Sequence, residues 1–145
     1  MLVFVGMAAY EADPSGIFSR NALRQELRNG TDAERANAAL ELVASGEKNL
    51  AGVKLTWADL SDQDLSGADL SNADMMNAVL AHANLTNANV EGLNLKGALL
   101  HGANLSMVAL DRATGVTDAF CDGETLMPTG WSCKAGMFAG TAGKH

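Results

Sequence analysis

Three side chains that could do chemistry, Asp62, His82 and His101, fall at related positions in the sequence. His82 comes twenty residues after Asp62, and His101 falls one residue short of the next interval of twenty. A carboxylate and two imidazoles are suitable ligands for a divalent metal, and such groups can also share a proton. The alternative is exposed side chains with no role, which we favour because no second layer of supporting residues is evident. The sequence thus gives a remote metal candidate and predicts no cofactor.

The two cysteines, Cys121 and Cys133, lie close together and form no metal-ligand motif with the three histidines. The sequence contains no phosphate-binding loop and no nucleophile elbow. Its single Tyr and its scattered Ser residues belong to no recognisable triad. We therefore predict a protein that is not an enzyme.

The overall charge narrows the class of partner. The chain has 145 residues, enough for one domain, and a formal net charge of −7. It contains no run of Lys or Arg, whereas direct binding of nucleic acid requires a basic surface. No stretch of the sequence is apolar over the length needed to span a bilayer. We therefore predict protein partners, no nucleic-acid contact and no transmembrane segment.

A five-residue repeat between Val53 and Asp111 must position these side chains. Leu or a close substitute recurs at every fifth residue: Leu55, Leu60, Leu65, Leu70, Met75, Leu80, Leu85, Val90, Leu95, Leu100, Leu105 and Leu110. Ala stands two residues before most of them, and Asp or Asn usually lies between the two. A fixed short period is read before anything else, because it sets the fold.

A period of five excludes both long regular elements. On an α-helix, five residues turn through about 500°, so the Leu residues would form no stripe. On one long strand, an odd period sends successive Leu residues to opposite faces. In a short Ala-Asp-Leu strand, by contrast, the first and third residues share a face while Asp points outward. The polar residues that follow suit a turn, so the pattern predicts a solenoid stacked by main-chain hydrogen bonds.

The pattern A(D/N)LXX, repeated about a dozen times, resembles the pentapeptide-repeat family. The resemblance implies a mainly β fold, a right-handed quadrilateral β-helix in which four repeats form one coil and residues twenty apart stack. The run from Leu50 to Leu110 then gives about three coils, which follow an N-terminal α-helical cap. Such a resemblance predicts the fold much better than it predicts the function.

One wall of the predicted coil departs from the polar outward pattern. Stacking places Asp59 beside Val79 and Val79 beside Leu99, where Asp or Asn is expected. Trp57 occupies a nearby turn position, and Met76 is within reach of the same corner. An exposed apolar column flanked by Trp and Met is typical of a contact patch. The alternative is a surface that the terminal segments of the chain cover.

The first ten residues, MLVFVGMAAY, are apolar and uncharged. They are too short to span a bilayer, and they resemble the end of a signal-peptide hydrophobic region that lacks its basic segment. One interpretation is docking on a partner protein through Leu2, Val3, Phe4 and Val5. The other is a tail that packs on its own domain.

Two helices are predicted before the repeats. Asp13-Pro14 suits a helix start, and Gly30 suits its end. Thr31 and Glu34 then form a capping box, and Gly46 suits the end of the second helix. The packing face of the second helix is expected to comprise Ala36, Ala39, Leu40 and Val43. One interpretation is structural: the two helices cap the open edge of the first coil. The alternative is that they form a docking surface.

Beyond Arg112 the repeat fails, and the next segment carries a second resemblance. It is similar to the FC…MPxG…C end cap of cyanobacterial and plastid relatives, with matching residues Phe120, Cys121, Met127, Pro128, Gly130 and Cys133. If the two cysteines are oxidised, the disulfide contributes ~3 kcal/mol and suits a thylakoid lumen or periplasm. The alternative is a pair of reduced thiols in a cytoplasmic protein. We expect Trp131 to pack over the end of the core.

Two functions fit these observations. The first is a structural or protein-interaction module, an accessory or assembly subunit that docks on a larger, photosynthetic membrane complex. The second is a DNA-mimicking modulator of DNA gyrase, as in another branch of the family. The acidic balance fits the second, but the short repeat region and the absence of central Phe residues do not.

The sequence divides into four parts. We predict an apolar N-terminal tail (1–12), two capping helices (13–46), a pentapeptide-repeat β-helix (47–116) and a C-terminal cap and tail (117–145).

Overall fold

The computed structural model describes residues 25–26 and 29–140. Its regular elements are α1 (Asp32–Ala44), two 3-10 turns (Leu110–Arg112 and Val116–Asp118) and an antiparallel hairpin of β1 (Trp131–Lys134) and β2 (Met137–Gly140). Residues 25, 26 and 29 are also helical. The rest of the first predicted helix and the apolar tail 1–12 lie outside the described residues.

Helix α1 begins and ends as the sequence predicts. The Glu34 N–H donates to Thr31 Oγ1 at 3.4 Å, and the Thr31 N–H donates back to Glu34 Oε2 at 2.7 Å, so the capping box is confirmed. The Thr31 N–H, and to a smaller extent the Thr31 hydroxyl, which donates to the same Glu34 oxygen at 2.9 Å, lower the pKa of Glu34. At the other end Gly46 has a φ of +83°, which glycine adopts without steric cost.

The buried face of α1 is shifted from the predicted one. Its buried residues are Ala38, Ala39, Leu42 and Val43. Ala36 and Leu40 are only partly buried, although they also pack against the core. The helix therefore covers the N-terminal end of the core mainly through Leu42, which is 0% exposed.

Each five-residue unit of the repeat forms the same turn. The Oδ1 atom of an outward Asp or Asn accepts the N–H of the residue two positions later, as between Asp64 and Ser66 at 3.0 Å or between Asn94 and Lys96 at 3.1 Å. The next residue has a positive φ at every repeat from Gly52 to Met107. Most residues at this position are Gly, Asn, Asp or His, which tolerate the left-handed conformation better than other residues.

The units stack into four walls through parallel bridges between residues about twenty apart. The first wall contains Asn49, Asp69 and Asn89. The second wall contains Lys54, Asp74, Asn94 and Thr114. The third wall contains Asp59, Val79, Leu99 and Phe120. The fourth wall contains Asp64, Asn84, Asn104 and Leu126. Main-chain bonds join neighbouring rungs, such as the Leu60 N–H to the Val79 carbonyl at 2.8 Å.

The interior of this stack is a continuous apolar core. The residues on either side of each outward position point inward, because side chains alternate along a strand. The central Leu residues, such as Leu60, Leu80 and Leu100, are 0% exposed and stack as the twenty-residue spacing predicts. One cluster of buried residues extends from Ala38 in α1 to Phe138 in β2.

The hairpin closes the other end of the core. Met137 in β2 bridges to Phe120 in antiparallel fashion, and the Cys121 N–H donates to the Gly136 carbonyl at 2.9 Å. Phe138 is 3% exposed and belongs to the core cluster, whereas Trp131 packs against that cluster from a partly buried position. Trp131 therefore packs on the core as predicted, but Phe138 is the aromatic residue that is most deeply buried there.

Candidate interaction surface

The structure does not bring the three side chains of the remote metal candidate together as a ligand set. Asp62, His82 and Gly102 do stack at one corner, all with positive φ, and the His82 ring lies against Gly102, where an added Cβ would collide with the His82 Nδ1 atom. His101 lies in the neighbouring column, where its carbonyl accepts the His82 N–H at 2.9 Å. Within residues 25–26 and 29–140, no group of three or more His, Cys, Asp or Glu side chains could hold a metal ion.

The four residues of the predicted contact patch lie on or beside the third wall. Val79 and Leu99 are bridged neighbours whose side chains are half-buried. Trp57 is 68% exposed at the corner before the wall, and its N–H donates to the Met76 carbonyl at 3.0 Å. The structure thus places the four residues in three columns on one side of the stack, with Met76 and Trp57 at the corner and Val79 and Leu99 on the wall.

The apolar column is longer than the sequence suggests. Phe120, which is 41% exposed, continues the third wall after Leu99, and Met137, which is 39% exposed, bridges to Phe120. We call Val79, Leu99, Phe120 and Met137 the apolar column. The Ala-Phe-Cys order at residues 119–121 has the small–outward–apolar form of a repeat, so the sequence did contain a signal for Phe120.

The other walls have polar ladders at the corresponding positions. Amide nitrogens of Asn84, Asn89 and Asn94 donate to carboxylates of the preceding rung at 3.4, 3.2 and 2.9 Å. These bonds replace carboxylate–carboxylate contacts, which would be repulsive. Only on the third wall does the described chain replace the Asp or Asn at two successive middle rungs with aliphatic residues.

Trp57 has an unfavourable, left-handed backbone conformation. Its φ is +64°, whereas Asn77 and Gly97 occupy the same position in the next two rungs. A bulky residue in the left-handed region is an outlier, and such strain often accompanies a functional role. Met107, which is 76% exposed with a φ of +62°, is a second case at a different corner.

The C-terminal end carries a covalent link and a shallow cavity. Cys121 and Cys133 form a disulfide that joins the last rung of the third wall to β1. A cavity of about 380 Å³ lies between residues 107–111 and the turn that precedes β1. Its lining comprises Met107, Val108, Ala109, Leu110, Asp111, Pro128, Thr129 and Trp131. The cavity contains one ionisable group and no catalytic set.

Asp122 closes the corner above Gly102. Its Oδ1 atom accepts the Gly102 N–H at 2.9 Å, where other corner residues donate to a backbone carbonyl. The same oxygen accepts the Thr125 hydroxyl at 2.9 Å. The Gly102 N–H, followed by donors from Thr125 and Glu124, lowers the pKa of Asp122, although partial desolvation opposes this. The Asp122 carboxylate therefore takes the place of the main-chain carbonyl that accepts this N–H at the other corners.

Two predicted features fall elsewhere. The docking residues Leu2, Val3, Phe4 and Val5 lie outside the described residues. In the part of the chain that the structure covers, no helix has the length and apolar character needed to cross a membrane.

The geometry defines a class of protein: a four-sided β-helix built from five-residue turns. Residues 54–92 and 78–114 match the family model described as pentapeptide repeats, in eight copies. Residues 54–114 of the chain therefore consist of pentapeptide repeats. Members of this family form right-handed quadrilateral β-helices, and they are generally non-catalytic modules that often mediate protein interactions.

Several solved structures are similar to this chain. The pentapeptide repeat protein Rfr23 from the cyanobacterium Cyanothece 51142 is 31% identical over 54% of this chain and 52% of its own, with a TM-score of 0.28. The protein alr5209 from Nostoc PCC 7120 is 29% identical over 64% of this chain and 84% of its own, with a TM-score of 0.27.

HetL, a Nostoc PCC 7120 protein involved in heterocyst differentiation regulation, is 28% identical over 55% of this chain and 51% of its own, with a TM-score of 0.30. The match thus covers about half the length of Rfr23 and of HetL. No curated protein matches the chain.

Proposed function

We propose that this chain is a non-catalytic protein-interaction module that docks on a larger complex through its third wall. One observation carries the proposal. The apolar column occupies outward positions where the other walls carry Asp and Asn. The chain buries these outward side chains only in part, so a partner that buries the rest of the column would explain its presence.

The corner beside the column supports the same surface. Trp and Met are enriched in the buried centres of protein interfaces. Trp57 is mostly exposed, and its left-handed backbone costs roughly 1–2 kcal/mol relative to an unstrained residue. The proposed surface therefore comprises the apolar column together with Trp57 and Met76.

The proposed partner is a photosynthetic membrane complex, and the chain would be an accessory or assembly subunit of it. The resemblance to cyanobacterial and plastid relatives supports this choice. The disulfide supports an oxidising compartment, a thylakoid lumen or periplasm, over the cytoplasmic alternative. In this proposal Leu2, Val3, Phe4 and Val5 provide a second docking element.

Blue-native electrophoresis of membranes from cells that naturally make the chain tests the proposal. We expect the wild-type chain to migrate with a large complex and the Leu99→Asn variant to migrate mainly as a free protein. Asn is compatible with this position, because Asn104 occupies the equivalent rung of the fourth wall. Asn104→Ser on the fourth wall is the matched control and should remain in the complex. Migration of the wild type only as a free protein would contradict the proposal.

A second candidate, a DNA-mimicking modulator of DNA gyrase, is favoured by a different observation. Asp59, Asp64, Asp69 and Asp74 place one outward carboxylate on each wall within a single turn of the stack. A gyrase supercoiling assay with the purified chain tests this function. Supercoiling that is unchanged at a large excess of the chain would exclude it.

The number of coils and the capping segments are also part of what we propose. We infer about three complete coils of β-helix, with the helices before them and the C-terminal segment as caps. The four-part division of the chain stays a prediction.

A further inference from the structure

The hairpin of β1 and β2 is held to the β-helix by few groups. The disulfide between Cys121 and Cys133 is the covalent one. The others are the bridge from Phe120 to Met137 and the Cys121 N–H, which donates to the Gly136 carbonyl. Phe138 adds a buried side chain, Trp131 packs against the core from a partly buried position, and β2 also contacts the 3-10 turn Val116–Asp118.

The hairpin is too small to persist without these links. Its two strands have four residues each, and an isolated two-stranded hairpin is marginally stable at best in water. The disulfide closes a loop across a sequence separation of 12 residues. A crosslink over a loop of that length favours the closed state by a factor on the order of 100.

We propose that this disulfide is a reductive switch that regulates the third-wall docking surface. The inference rests on the proposed function, because it concerns the same apolar column. In the oxidised chain, Met137 extends the column beyond Phe120. In the reduced chain, the hairpin leaves the end of the β-helix, the column ends at Phe120, and Phe138 is uncovered. The oxidised form is the one that docks.

The switch requires a protein or small-molecule dithiol as reductant. A thiolate of the dithiol attacks Sγ of Cys133, which is more accessible than the buried Cys121. The Cys121–Cys133 bond breaks, and Cys121 leaves as a thiolate that takes up a proton. The second thiol of the reductant then displaces Cys133 from the mixed disulfide. Two electrons and two protons pass to the chain, and the dithiol becomes a disulfide.

The change should stay local, because each rung of a solenoid contacts only its neighbours. The bridges from Asn49 to Asn104 involve no residue of the hairpin. Loss of the hairpin therefore removes the last contact of the third wall while the earlier rungs keep their hydrogen bonds.

Hydrogen exchange of the purified chain, oxidised and after reduction with dithiothreitol, tests the switch without any partner. We expect amides of residues 131–140 and the Cys121 amide to lose about 100-fold in protection. Amides of the middle rungs, such as Leu60, Leu80 and Leu100, should keep their protection. Unchanged protection of the hairpin after full reduction overturns the proposal.

The Cys133→Ser variant separates the disulfide from side effects of the reductant. It should exchange like the reduced wild type, and dithiothreitol should not change it further. If the variant fails to fold, the comparison of oxidised and reduced wild type still decides.

Docking is measured with the same preparations of oxidised wild type and Cys133→Ser, added to membranes whose complex lacks the chain. Oxidised chain should restore the complex in membranes that lack it, and Cys133→Ser should restore at least tenfold less. Equal restoration by both overturns the regulation, and it does so independently of the Leu99→Asn experiment, which tests the docking surface itself.

Discussion

Two regions of the stack form the same kind of main-chain bridge with different residues. The acidic rungs, Asp59, Asp64, Asp69 and Asp74, follow one another at intervals of five. The closing rungs, Thr114, Phe120 and Leu126, follow one another at intervals of six. Both sets pair with a neighbouring rung through parallel bridges. The pairing thus tolerates an extra residue in each unit, provided that the corners absorb it.

The corners of the closing rungs show how the extra residues fit. Gly115 takes a positive φ of 66°, and a Cβ there would lie 2.7 Å from the Lys96 nitrogen, so only glycine fits without displacement. The 3-10 turn that follows places Val116 in the core, at 4% exposure. At the next corner the Asp122 carboxylate substitutes for a backbone acceptor. Inward burial is preserved in both regions, whereas the spacing and the outward side chains are free to change.

The largest loss of stability should come from a charge placed in the buried interior that both regions share. Leu80 is 0% exposed between the two regions, so Leu80→Asp would bury an unpaired carboxylate and should cost more than about 4 kcal/mol. Leu126→Asp is the matched control, because Leu126 is 54% exposed on a closing rung and should change stability by less than about 0.5 kcal/mol. Urea unfolding followed by circular dichroism measures both. A large loss for Leu126→Asp would show that the closing rungs are not free on their outer side.

A smaller effect should follow from truncating the residue that closes the end. Phe138→Ala leaves a cavity under the hairpin, and removal of a buried Phe typically costs about 3–5 kcal/mol. Because the disulfide holds the hairpin nearby, the loss should appear as local opening of residues 131–140. Hydrogen exchange of that segment should increase while the acidic rungs stay protected. Equal loss of protection in both regions would mean that the stack unfolds as one unit.

The repeat made the fold predictable because one physical requirement recurs at every unit. The inward Leu column fixes the register, so the bridges between residues twenty apart follow from the spacing alone. The capping box of Thr31 and Glu34 was predictable for a similar reason, since both partners are local in sequence. Along the four walls of described residues, no Asp stacks directly on another Asp, which fits the repulsion between like charges.

The closing end was harder to predict, because its contacts are not local. Phe138 reaches the core only after a hairpin reverses the chain, and no periodicity marks that return. The second role of the outward Asp and Asn residues was also missed. Their Oδ1 atoms accept the N–H two residues later, which favours these two residue types independently of solvation. Stacking places the backbones of Asp62 and His82 at one corner, but among the described residues these two side chains and His101 form no group that could hold a metal ion.

Relief of backbone strain should stabilise both regions by a modest amount. Trp57, two residues before Asp59, and Met107, seven residues before Thr114, both have a positive φ and are mostly exposed. Trp57→Asn and Met107→Asn should each raise the free energy of unfolding by about 1 kcal/mol, because Asn tolerates this conformation. Thermal unfolding measures both variants. If Met107→Asn stabilises the chain and Trp57→Asn destabilises it, the Trp57 ring contributes packing that outweighs its strain.

The smallest effect should be a difference in acid sensitivity. In Asp59, Asp64 and Asp69 the hydroxyl and then the backbone N–H of the serine two residues later lower the pKa. A carboxyl whose folded-state pKa is depressed stabilises the fold above its unfolded pKa, and this contribution is lost as the pH falls through the folded value, below about pH 4.

Replacing all three with Asn keeps the acceptor oxygens, as Asn84 and Asn94 show, and removes the titration. The triple variant should therefore have a flatter dependence of its thermal midpoint on pH between pH 5 and pH 2 than the wild type. Asp122→Asn makes the same change next to the closing rungs, where the pKa of one carboxylate is lowered by the Gly102 N–H. The triple variant should flatten the curve more than Asp122→Asn does, because three carboxylates titrate in one region and one in the other. A larger change for Asp122→Asn would place the acid-sensitive part of the stack at its closing end.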